Sequence, residues 1–253
     1  MRTYFDVDRQ TYPTRVGPVE LPILYYNAAA VFASFLVDED KAQAVLPPEL
    51  KAVTLRPGKG LVTVAFFEYV DTSVGPYNEM GIAVAGSPIK SKFRDTAAWH
   101  FGQSALPGMY VADLPVTTAA AHAAGHDCWG YPKIIVPIDF QLRDRDLDCA
   151  VRSEDGRDRL CRLSGRIGAG VKMSAPNLMT YTLFKGQLWR TVINTRGRMR
   201  HAMGGEVTLQ CDGGGTHPLS ARLRGLGLHG ATPLMVQSIQ GMHAILPAGV
   251  PVK

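Results

Sequence analysis

A mainly β fold (α+β), an antiparallel β-cone or barrel carrying a few short helices, is the class that this 253-residue sequence predicts. Three observations carry the prediction. Segments rich in β-branched and aromatic residues recur along the chain. Short polar turns join several of them, and a short turn between adjacent strands makes them antiparallel. Segments with helical period are few and short.

The elements follow in order. "DEDKAQAVL", Asp38 to Leu46, reads as a helix that begins at a good N-cap residue and stops at Pro47-Pro48. "GLVTVAFFEYV" reads as a strand over 60–70. The alanine-rich "VTTAAAHAAG", Val116 to Gly125, reads as a second helix, with Gly125 placed as its C-cap. Further strands are expected at "KIIVPIDFQL", "LDCAVRS", "DRLCRLSGRI", "LMTYTLFK", "QLWRTVI", "GEVTLQC" and "LMVQSIQGMHAIL". The turns between them are "SEDGRD", "KGQ", "NTRG" and "CDGGGTHP". Strands do not alternate regularly with helices, which excludes a doubly wound parallel sheet. There is no internal repeat or linker, so one domain is expected over 1–253.

Composition narrows the function classes. At 46% hydrophobic and 19% charged residues, the chain can build a sizeable core and is not globally disordered. No apolar run is long enough to span a bilayer. The first residues, "MRTYFDVDRQTYPTR", lack the apolar core of a signal peptide. A soluble, cytoplasmic protein with no membrane partner is the expectation. The four cysteines have no CxxC spacing, which fits reduced thiols better than a disulfide framework or a zinc site. The net charge of +5 is mild, and the arginines of "RTVINTRGRMRH" fit a solvated strand face rather than a nucleic-acid surface.

Several motifs dissolve on inspection. "IGAGVKMS" has Ser174 where GxGxxG needs its third glycine and lacks a surrounding βαβ unit, so a strand with a bulge reads better. "DRDLD" lacks the glycine and terminal glutamate of a calcium loop, and acids on the wet face of a strand explain it. His126 and Cys128 lack an orienting carboxylate. The seven histidines form no HxH pair and one HxxxH spacing, His122 to His126, which alone specifies no site, so no metal is expected.

Three features remain: Lys133 behind Tyr131-Pro132, Glu68 closing "FFE", and Glu79 in "YNEMG". Lys133 sits between apolar residues, with Cys128 and Trp129 before it and Ile134, Ile135 and Val136 after it. Lysines usually prefer water. The bland alternatives are a lysine that snorkels out at the start of a strand and glutamates that are simply wet.

The arrangement resembles the acetoacetate decarboxylase family, in which an E-Y-P-K segment carries a Schiff-base lysine and follows an F-E strand and a Y-x-E-x-G loop. Here "GHDCWGYPKI" fits the first pattern, with Asp127 in the acidic place, and "FFEYVDTSVGPYNEMG" fits the second. "DKAQAVLPPEL", "APNLM" and "HAILPAG" extend the likeness over nearly the whole chain. The resemblance implies a β-cone or barrel with the lysine inside, assembly as a homo-oligomer, no cofactor, and a small oxo or keto acid as partner.

It also implies a chemistry. A free lysine titrates near about 10.4 and must lose its proton to attack a ketone; desolvation favours the neutral amine. Acetoacetate decarboxylase is itself the established example of a lysine activated by an apolar pocket or a neighbouring cation. Lys133 would form an iminium, an electron sink for bond breaking at the neighbouring carbon, with Glu79 and Glu68 handling protons. Tyr131 and Trp129 flank the lysine on the substrate side. The sequence departs from the family at two places. Its second lysine is Ile134 here, and its substrate-side arginine, in an N-R-E-Y context, has no counterpart in "LPILYYNAAAVF", where the alignment leaves its place to Tyr25, Tyr26, Asn27 or Ala28 and Tyr26 or Asn27 is expected to hydrogen-bond the substrate instead. Three functions stand: decarboxylation of a β-keto acid, another iminium reaction of the aldolase or dehydratase kind on an oxo acid, and a non-catalytic small-molecule binding module.

Overall fold

Residues 3–89, 107–203, 205–212 and 216–252 are described by the structure, a computed structural model. The chain opens with the hairpin β1 (Gln10–Tyr12) and β2 (Val19–Leu21), then enters the long strand β3 (Ile23–Asp38) and the short helix α1 (Glu39–Gln43). Strands β4 (Leu50–Ala52), β5 (Thr54–Arg56), β6 (Lys59–Thr72), β7 (Tyr77–Pro88) and β8 (Gly108–Asp113) precede helix α2 (Ala119–Trp129). Then come β9 (Ile138–Arg143), β10 (Asp146–Arg152), β11 (Arg159–Arg166), β12 (Val171–Ser174), β13 (Leu178–Phe184), β14 (Gln187–Arg196), β15 (Arg198–Met203) and β16 (Thr208–Cys211). Helix α3 (Pro218–Gly225), β17 (Met235–Leu246) and β18 (Val250–Pro251) complete it.

The mainly β expectation holds, and the strand order closes it. In the large sheet β17, β3, β6, β7, β8, β13 and β14 are successive neighbours, and β14 pairs back onto β17 through Asn194–Ile245 and Arg196–His243. The path therefore returns on itself, as a cone or barrel requires. All but one of its pairings are antiparallel; β8 and β13 run parallel. A separate sheet, ordered β16-β11-β10-β9, packs its apolar side against this ring.

The ring is buried on both faces, and the strands serve two cores by alternation. In β6, Val62, Val64 and Phe66 enter one core, while Ala65, Phe67 and Tyr69 enter the other. In β3, Val31, Ala33, Phe35 and Val37 enter the first, while Ala28, Ala30 and Phe32 enter the second. The first core also takes Cys149, Cys161, Leu163 and Leu209 from the smaller sheet. The second takes Ala121, Ala124 and Trp129 from α2 and holds the site described below.

Local details correct several expectations. Asp38 does occupy the N-cap of α1, but its carboxylate bonds Lys59 (2.6 Å) and Lys41 (3.1 Å) rather than the helix backbone. Helix α2 begins three residues later than expected and runs past Gly125 to Trp129. Thr118 caps its start by accepting from the Ala121 amide (3.3 Å), and Gly130 ends it in the left-handed conformation (φ 68°). The expected strand over 133–142 begins only at Ile138. "VKMS" is a strand, β12, entered through Gly170 at φ 56°. The acids of "DRDLD" pair across strands, Asp146 with Arg166 and Asp148 with Arg162. Strands β3, β7 and β8 and helix α3 had no counterpart in the sequence reading.

Candidate active site

Three chain segments meet to build the site, and one residue joins them. Val116 bridges to Glu79 of β7 on one side and to Ile135 on the other. The Leu114 amide donates to the Pro132 carbonyl (3.1 Å) and the Val116 amide to the Ile134 carbonyl (2.9 Å). The extended segment around Lys133 is thereby fixed beside β7. Proline cannot donate and fixes its own φ, so Tyr131-Pro132 suits this exit from α2 into an extended run.

Within that frame Lys133 Nζ lies 2.5 Å from Glu79 Oε2. The two side chains retain only 4% and 8% of their exposure. The lysine stem reaches the carboxylate by crossing helix α2 at Gly125. A Cβ on Gly125 would lie 2.0 Å from Lys133 Cε and 2.6 Å from Cδ. Glycine inside a helix costs about 1 kcal/mol relative to alanine; here its missing Cβ is the passage that the lysine uses.

Tyrosines surround the pair. The Tyr69 hydroxyl donates to Glu79 Oε1 (3.2 Å), so both carboxylate oxygens are engaged. The Tyr25 and Tyr77 hydroxyls are 3.1 Å apart, and the Tyr77 ring lies 5.7 Å from Lys133 Nζ, within cation–π range. Ring contacts of 4.5–5.4 Å link Tyr25, Tyr77 and Phe67 to Tyr69. The Tyr131 hydroxyl shares a bond with Thr180 (2.9 Å). Burial pushes the hydroxyls of Tyr25, Tyr69 and Tyr77 well above the ordinary tyrosine value, with the Glu79 charge adding to it. Burial likewise raises Tyr131 to about 12. All four phenols therefore stay protonated as hydrogen-bond donors at neutral pH.

The sequence-predicted residues divide. Lys133, Glu79 and Tyr131 come together. Trp129 is buried beside them, its ring stacked on Tyr131 at 6.1 Å and its N–H donated to the Pro247 carbonyl (2.9 Å). Glu68 does not reach Lys133. Phe67 stands opposite Glu79 across the β6–β7 ladder, whereas Glu68 stands opposite Asn78 on the other face, toward Cys149. Tyr26 and Asn27 also turn away. A bulge at Tyr25–Ala28 gives both Tyr25 and Ala28 to the site's core, leaving Asn27 exposed and Tyr26 against Phe5. Asp127, in the family's acidic place, is gripped by Arg15 from the N-terminal hairpin, whose Nη2 lies 2.6 Å from Oδ1. That bond holds its carboxyl down to about 2. Cys128 is no activated nucleophile, since burial raises its thiol to about 11.

The sequence reading missed Tyr69, Tyr77 and Gly125. A signal existed for one of them: Tyr77 and Glu79, two residues apart in one strand, share a face.

Comparison with known proteins accords with this geometry. The family model described as acetoacetate decarboxylase (ADC) matches residues 11–193. The chain belongs to the acetoacetate decarboxylase family. Among solved structures, an acetoacetate decarboxylase is similar at TM-score 0.68 and 18% identity, covering 91% of this chain and 89% of that one. The acetoacetate decarboxylase of Legionella pneumophila subsp. pneumophila str. Philadelphia 1 is similar at TM-score 0.66 and 16% identity, covering 100% and 94%. The enduracididine biosynthesis enzyme MppR, in complex with pyruvate, is similar at TM-score 0.61 and 13% identity, covering 92% and 90%. At these identities the likeness is one of fold. No curated protein matches the chain.

Proposed function

We propose that this member of the acetoacetate decarboxylase family is a lysine-iminium carbon–carbon lyase, with Lys133 as nucleophile and Glu79 as the group that moves protons. The observation that carries the reading is the buried Lys133–Glu79 contact of 2.5 Å. A proton resting on Glu79 leaves Lys133 a free amine. Nζ then attacks a carbonyl carbon, the oxygen departs as water, and the iminium draws electrons from a bond at the adjacent carbon. Glu79, fixed through Oε1 by Tyr69, is within reach of that carbon's proton.

Two branches follow from one iminium. Loss of carbon dioxide from a β-keto acid is the branch suggested by family membership. Aldol cleavage, condensation or dehydration is the branch favoured by the pocket, because proton transfer at the α-carbon needs one carboxylate, and one is what the predicted set delivers. The relatives accord with both, since one of those named above is described with pyruvate bound and two as decarboxylases. A binding module without covalent chemistry gives no reason to bury a lysine and a glutamate together, which costs desolvation.

The test is reduction with cyanoborohydride in the presence of a panel of oxo acids and other carbonyl compounds, followed by intact mass and peptide mapping. An adduct on Lys133, absent from Lys133→Ala, supports the reading. Absence of any Lys133 adduct across the panel refutes it.

A further inference from the structure

The charge and donor inventory around Lys133 bears on what it attacks. The buried pair is one base and one acid sharing a proton, so it is neutral in sum. The phenols of Tyr25, Tyr69, Tyr77 and Tyr131 that surround it are neutral. On the same sheet face, Ala28 stands opposite Tyr69, and Phe67 separates Ala30 from Glu79. From α2, His122 bonds the Lys133 backbone, and burial, then the charge of Arg15, lowers its imidazole toward the neutral form. Among the described residues, the positions facing the pair across β3, β6 and β7 supply no second cation.

The hydroxyl hydrogens can be followed one at a time. Tyr69 gives its hydrogen to Glu79, while Tyr131 and Thr180 bond each other and keep one hydrogen beyond that bond. Tyr25 and Tyr77 bond each other, which consumes one of their two hydrogens. Among the described residues nothing accepts the other, which is left on a pair whose Tyr77 ring lies 5.7 Å from Lys133 Nζ.

We propose that the compound taken by Lys133 is an uncharged ketone or aldehyde, without a carboxylate, whose oxygen accepts the spare hydrogen of the Tyr25–Tyr77 pair. This rests on the iminium reading above and narrows its substrate class. The step balances without outside charge. Neutral amine, protonated Glu79 and ketone give iminium, Glu79 carboxylate and one water: the C–N bond forms as the C=O bond breaks. The amine gives up one hydrogen and Glu79 one proton in forming that water, and the amine's second hydrogen stays on the iminium nitrogen. The site is electrically neutral before and after. Among the described residues facing Lys133 and Glu79 no cation is left to pair a substrate carboxylate, whose charge would stand beside Glu79 in a setting where burying an unpaired charge is strongly unfavourable.

The experiment compares near-isosteric pairs that differ in that charge: 2,4-pentanedione against acetoacetate, and methyl pyruvate against pyruvate. Cyanoborohydride labelling of Lys133 is followed by peptide mass, and each rate is divided by that of Nα-acetyl-lysine to remove intrinsic reactivity. The uncharged member of each pair should label at least tenfold faster. Tyr25→Phe/Tyr77→Phe should lose about tenfold with the uncharged members, with its fold checked by circular dichroism. Equal or faster labelling by the acids on the wild-type protein overturns the substrate class and leaves the iminium reading standing. Labelling of the double variant at the wild-type rate overturns the role of the hydroxyl pair. No Lys133 labelling by any of the four compounds overturns both this inference and the iminium reading.

Discussion

Gly125→Ala separates catalytic geometry from folding at a single methyl group. The added Cβ would stand 2.0 Å from Lys133 Cε and 3.2 Å from Nζ. Carbon atoms in contact settle at about 3.5–4.0 Å, so the stem must retreat by about 1.5 Å. The 2.5 Å contact with Glu79 does not survive a shift of that size. Misplacement of a reacting group by about 1 Å costs on the order of 100-fold, so Lys133 labelling should fall about 100-fold. Stability should change much less. Alanine gains about 1 kcal/mol over glycine inside a helix, and overpacking costs about 1–3 kcal/mol, leaving a net loss of about 0–2 kcal/mol. The assay is the labelling rate beside a urea denaturation curve. Gly225→Ala in α3, whose Cβ meets nothing within 4 Å, is the control and should label at the wild-type rate. A Gly125→Ala protein that labels as fast as wild type would show that the lysine does not need this passage, and the geometry built here would fail.

Other perturbations reach the remaining parts of the site. Lys133→Met should cost about 3–5 kcal/mol, because it strands Glu79 in a buried setting; adding Glu79→Gln should restore most of the loss, and urea midpoints for the single and double variants decide. Thr118→Ala should cost about 0.5–2 kcal/mol by removing the cap of α2, read from the thermal transition; no change would mean that the cap bond at 3.3 Å contributes nothing. The Arg15–Asp127 clamp should depend on pH in a definite direction. A carboxyl depressed to about 2 contributes stability that is present above its unfolded value of about 3.9 and disappears as pH falls through about 2. Pepsin should therefore spare the N-terminal hairpin at pH 4 and cut it as the pH approaches 2, while Asp127→Asn should lose that protection already at pH 4.

How much of this was legible in the sequence depends on what each signal measures. Lys133 stood out because a lysine in an apolar setting is an anomaly of composition, which needs no knowledge of pairing; Glu79 stood out only through the resemblance of "YNEMG" to the family's Y-x-E-x-G motif. Strand β3 was invisible because it is buried on both faces. "ILYYNAAAVFASFLVD" therefore has no polar alternation, the pattern by which half-buried strands are recognised. Gly125 was read as a helix stop, the usual meaning of a glycine after an alanine-rich run; its real constraint comes from a side chain eight positions later.

Glu68 and Tyr26 failed for a stricter reason, which is parity. A strand presents alternate residues to opposite faces, so a slip of one residue exchanges the faces. Seven residues, Val70 to Pro76, separate the last opposed pair of β6 and β7, Tyr69 and Tyr77. An odd count sets odd-numbered residues against odd-numbered ones, so Glu79 shares a face with Phe67 and Tyr69, and Glu68 goes to the other. A slip of one residue in the pairing of β6 with β7 would have set Glu68, rather than Phe67, opposite Glu79. The bulge between Tyr25 and Ala28 works in the same way on β3, delivering Tyr25 where an unbroken alternation from Ala28 would have delivered Tyr26. Neither the loop's effective length nor the bulge is written in residue types. The proposed reacting pair can therefore be picked out from an apolar-flanked lysine and a family motif, while the choice of which tyrosine or second carboxylate faces it is decided by single-residue register, which only the paired strands reveal.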